Sequence, residues 1–111
     1  MGKALQIRVS AVTWDEDLVE KLWPQLAELA FSVPITHEKH GVLEMVCALR
    51  EGLKFMDWPE SRRAALQDGV ARASATVQQL EKALEDWKPQ EANRLSDVLE
   101  SELDSLEAAY R

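Results

Sequence analysis

One cysteine, two histidines, four glycines and four prolines are all that 111 residues hold of the types that build disulfides, metal centres and shaped loops. A single cysteine, Cys47, excludes an internal disulfide and with it a stapled secreted module. With so few glycines there is little loop from which to form a phosphate cradle, and neither a P-loop nor a G-x-S-x-G elbow occurs. Apolar runs are short: none approaches the roughly 18 residues of a membrane span. Met1-Gly2-Lys3 leads into alternating apolar and polar residues, with no h-region of a signal peptide. Gln6 stands where a myristoylation signal needs Ser or Thr. Basic residues are outnumbered 13 to 20, for a net charge of −7. Such a surface repels phosphate, which argues against nucleic acid and anionic membrane as partners. The cytoplasm is the expected compartment, and no cofactor is expected.

What is present is a globular composition, 46% hydrophobic and 30% charged, at a length that fits one domain over 1–111. The chain opens with Leu5, Ile7, Val9 and Ala11 alternating with polar residues. That period of two predicts a strand over 3–12. A lone strand needs a partner for its backbone groups. Only "FSVPIT" elsewhere looks extended, and Pro34 spoils it as a sheet strand. The expectation is therefore a homodimer in which the strand pairs with its own copy.

The remainder reads as helix. Thr13 and Glu16 stand in capping-box spacing ahead of a helix over 14–31, which Pro24 should kink or split near Lys21 to Trp23. A second helix is expected over 37–56, with Val42, Val46, Leu49, Leu53 and Met56 as its seam. Asp57 and Glu60 suggest the cap of a third over 59–87, with a seam of Leu66, Val70, Ala73, Val77, Leu80, Leu84 and Trp87. Beside that seam, Ala65, Gly69, Thr76 and Ala83 would let a neighbour approach closely. A fourth follows over 90–110, its stripe running from Ala92 through Leu95, Leu99, Leu103 and Leu106 to Tyr110. The short link between the last two implies an antiparallel hairpin. The fold class is mainly α: a short N-terminal β-strand, then an antiparallel bundle of about four helices.

Chemistry, if any, concentrates in "ITHEKHGVLEMVC", which holds both histidines and the cysteine. At about 100° per residue, His40, Glu44, Cys47 and Glu51 share the helix face opposite the seam, with His37 and Phe55 nearby. Nitrogen, oxygen and sulfur donors at His40, Glu44 and Cys47 make these the candidate metal ligands. "HEKH" is one residue short of the zincin H-E-x-x-H, and no fourth ligand is evident. The stretch from His37 to Gly41 also resembles the His-x-x-Lys-Gly of histidine phosphotransfer domains, with His40 at the lysine position. That resemblance implies His37 as phospho-acceptor and Gly41 as the small residue that admits a partner. A solvated helix face is the plainer account.

The main expectation is a non-catalytic protein-interaction or assembly module, not an enzyme. Its interface residues would be Leu5, Ile7, Val9, Trp14 and Phe55. Of the four tryptophans, Trp14, Trp23, Trp58 and Trp87, most should close the ends of the core, and one or two could anchor a partner. Glu102 falls within an apolar stripe and calls for a partner such as Arg62 or Arg63 on the neighbouring helix. The six acids between Glu91 and Glu107 read as a solvated face.

Overall fold

The computed structural model describes residues 4–7, 11–13, 15–32 and 41–110. The protein is mainly helical: two short strands, β1 (Leu5–Ile7) and β2 (Ala11–Thr13), precede five helices. These are α1 (Glu16–Leu22), α2 (Pro24–Ala30), α3 (Val42–Phe55), α4 (Glu60–Glu85) and α5 (Pro89–Tyr110).

The single strand expected over 3–12 is replaced by two three-residue strands that pair with each other, antiparallel, with Leu5 opposite Thr13 and Ile7 opposite Ala11. Among the described residues, the backbone of β1 thus pairs with that of β2 in the same chain. The first expected helix is two helices, because Pro24 removes a donor and Trp23 leaves helical geometry at φ −133° and ψ 64°. Hence there are five helices rather than four. The cap of α1 is Asp15, whose carboxylate accepts from the Asp17 N–H at 3.0 Å, and not Thr13. At α4 the N-cap is Pro59 with no side-chain cap, so the Asp57–Glu60 box does not form.

α4 and α5 lie antiparallel and make the broadest helix contact in the molecule. α3 packs along α4, α2 bridges α3 and α5, and β1 rests on α5. The seam of α3 is buried at Val42, Val46 and Leu49, and burial spreads to Met45, Ala48 and Gly52. A Cβ on Gly52 would stand 2.1 Å from the Trp58 ring, so the glycine is the socket for that indole. On α4 the seam holds at Leu66, Val70, Ala73 and Leu80, with Thr76 and Ala83 buried beside it. The small-residue row does bring a helix close: a Cβ on Gly69 would meet Leu106 at 2.5 Å. The seam fails at Trp87, which is 67% exposed.

Candidate functional site

The C-terminal helix carries the largest departure from sequence expectation. Leu99, Leu103 and Leu106 enter the core. Each is followed by an acid, Glu100, Asp104 and Glu107, at positions i, i+4 and i+7 of one face. This row is not a solvated face. Glu100 is buried, and its Oε2 accepts the backbone N–H groups of Ala4 at 2.9 Å and Leu5 at 3.0 Å. The Asp104 carboxylate accepts the Trp23 indole N–H at 2.9 Å. Buried Glu107 accepts from Leu26 N–H at 3.0 Å and Gln25 N–H at 3.3 Å, at the amino end of α2. Helix amides without intrahelical partners are thus capped from another helix, where the dipole favours a negative charge. The repeated Leu-acid pairs were the available signal in the sequence; counting acids without their phase hid it.

Glu102 does meet α4, but its partner is the Thr76 hydroxyl, which donates at 2.6 Å, rather than Arg62 or Arg63. Those arginines serve the α3–α4 turn: Arg62 lies 5.9 Å from the centre of the Trp58 ring, and Arg63 donates to the Met56 carbonyl at 3.3 Å.

The candidate metal face does not assemble among the described residues, which contain no group of three His, Cys, Asp or Glu side chains able to hold an ion. His37 and His40 lie outside the described residues. Glu44 is engaged locally, its Oε1 accepting the Gly41 N–H at 3.1 Å. Thr13 Oγ1 accepts the next amide, that of Val42, at 2.9 Å, so a residue of β2 caps α3. Gly41 is small for that reason: a Cβ there would stand 2.4 Å from Glu44 Oε1 and 2.7 Å from Thr13 Oγ1. Cys47 is half-buried in an open cleft of about 340 Å³ between α3 and α4. Its sulfur lies 4.0 Å from Arg50 Nη2, while Arg50 Nη1 donates to Ser74 at 3.2 Å.

Of the expected interface residues, only Leu5 and Phe55 have described side chains. Leu5 is fully buried in the chain's own core. Val9 and Trp14 lie outside the described residues, and only the backbone of Ile7 is placed, in β1. Phe55, at the carboxyl end of α3, is 74% exposed. Of the tryptophans, Trp23 and Trp58 close the core, whereas Trp87 stands out from the α4–α5 turn.

The backbone at Trp87 is left-handed, with φ 58°. Lys88 N–H bonds the Ala83 carbonyl at 2.7 Å and Trp87 N–H bonds the Leu84 carbonyl at 3.1 Å. These two bonds form a Schellman motif, with Trp87 in the place that glycine usually occupies. Among the described residues it is the sole non-glycine with positive φ.

Comparison with protein-family models, curated proteins and solved structures returned no match. No helix among the described residues is long and apolar enough to cross a membrane.

Proposed function

We propose that this protein is a small acidic interaction or assembly module that works through its surface rather than by catalysis, in the cytoplasm. The observation that supports this reading is Trp87. Glycine would fit the left-handed turn without a Cβ penalty, yet a bulky aromatic stands there with its ring in solvent. A costly backbone carrying a two-thirds exposed indole suits a side chain held out for a partner. Phe55, more exposed still, offers a second apolar contact at the far end of α4.

The test is native mass spectrometry of the chain purified gently from its host. A stoichiometric partner, itself or another protein, should accompany the wild type and be lost from a Phe55→Ala/Trp87→Gly double variant. A wild-type chain recovered alone, or a partner retained by the double variant, would refute the reading.

A further inference from the structure

We infer that the cleft between α3 and α4 binds a small free zwitterion the length of a tripeptide, its carboxylate at Arg50 and its ammonium between Glu44 and Glu81. This is independent of the reading built on Trp87. The cleft holds about 340 Å³, within the range of small-ligand sites. Its charges are sorted rather than mixed. Arg50 and Ser74 meet at one end, where Arg50 Nη1 donates to the Ser74 hydroxyl at 3.2 Å. The short link between Phe55 and Glu60 turns α4 back along α3, so the two helices run antiparallel. Six residues before Arg50 on α3 stands Glu44, and seven after Ser74 on α4 stands Glu81; these two line the other end. At 1.5 Å of rise per residue the two ends are roughly 9 to 10 Å apart. Leu43, Val46 and Val77 give the span between them apolar walls, with Cys47 midway.

The guanidinium is short of acceptors. Its Nε is buried and meets no hydrogen-bond partner among the described residues. Its Nη2 lies 4.0 Å from the Cys47 sulfur and 3.9 Å from the Glu51 carboxylate, the latter too long for a hydrogen bond. A ligand carboxylate at this end supplies the charge-assisted acceptor that the Ser74 hydroxyl does not. At the other end Glu44 holds the Gly41 amide at 3.1 Å, and Glu81 is exposed on α4. Two carboxylates there attract an ammonium and repel an anion. With the chain's −7 they reject phosphate and dicarboxylates, and Arg50 rejects a diamine. A molecule of zero net charge with opposite ends satisfies both. Three residues of extended peptide span about 10 Å, and free termini supply both charges. The tail of a protein has no second terminus at that distance, so the occupant is a free small peptide.

Titration of the isotope-labelled full chain with the peptide Ala-Val-Ala, followed by NMR, tests the site. The amide shifts of Cys47 and Val77 should saturate at millimolar peptide or below, and the peptide should slow alkylation of Cys47 by iodoacetamide. Amidating the carboxyl end of the peptide or acetylating its amino end should each weaken binding about tenfold, as should Arg50→Gln and Glu81→Gln. Glu81 is exposed, so its variant keeps the test open if Arg50→Gln does not fold. Glu81→Gln should leave the affinity for the acetylated peptide unchanged, because that peptide has no ammonium to lose. The absence of a saturable shift at Cys47 and Val77 overturns the site. So does a capped peptide that binds as tightly as the free one, a Glu81→Gln chain with full affinity for the free peptide, or inorganic phosphate binding there more tightly than the peptide.

Discussion

At the scale of single residues, carboxylates do most of the unusual work. Glu100 accepts two amides in a buried setting, and removing it leaves both without that acceptor. An unmade buried hydrogen bond costs roughly 1–3 kcal/mol, so Glu100→Ala should lose roughly 2–4 kcal/mol in urea unfolding. Glu100→Gln, which keeps one oxygen, should lose less. A loss under about 0.5 kcal/mol for the alanine variant would contradict the arrangement. Glu91 makes a different prediction. Its hydrogen bond to Arg94 holds its carboxyl below the ordinary glutamate value, with the charge of Arg94 acting in the same direction. A depressed carboxyl stabilises the fold above the unfolded value, and that contribution fades as pH falls through the folded one. Carboxyl NMR should show Glu91 titrating low, and Arg94→Ala should raise it. Because the pair lies at the surface, where water screens it, the midpoint of thermal unfolding should scarcely respond.

At the scale of elements, most of the secondary structure could be read from residue pattern. The apolar spacing of Leu66, Val70, Ala73 and Leu80 placed α4, and Pro24 marked the break between α1 and α2, because both act within one or two turns. Caps were the weak point. Thr13 was assigned to the helix that follows it, but its hydroxyl serves Val42, 29 residues away. Local spacing carries no record of such a contact. Thr13→Ala should cost about 1 kcal/mol and speed amide exchange in the first turn of α3, while Thr13→Ser should restore both. If the effect falls on α1 instead, the local reading was right after all. The seam of α4 failed at Trp87 because the helix has ended by then: Trp87 is itself the left-handed residue of the closing turn, and its side chain leaves the stripe.

At the scale of the whole molecule, α5 is the shared wall. One side meets α4 through leucines, and the adjoining side holds β1, Trp23 and the start of α2 through acids. The acidic balance of the composition is thus partly internal, something a net charge cannot reveal. The candidate site was legible only in part. The helical phase put Glu44 and Cys47 on one face, but what each side chain meets depended on the neighbouring elements. The two kinds of contact on α5 should separate in hydrogen exchange. Glu107→Ala should free the Gln25 and Leu26 amides and leave the middle of α5 protected. Leu103→Ala, in the core, should cost about 2–5 kcal/mol and loosen every element together. Equal exchange patterns for the two variants would argue against a separable N-terminal layer.

The acids of α5 also set a schedule for synthesis. The amides of Ala4, Leu5 and Leu26 meet their acceptors 96, 95 and 81 residues later in the chain. At typical elongation rates of about 5–20 residues per second, those amides wait roughly 4–20 s before their acceptors exist. During that interval the hairpin and the first two helices are made but not fastened, and water must serve the amides in place of carboxylates. The N-terminal third is the first part to be synthesised and among the last to be secured.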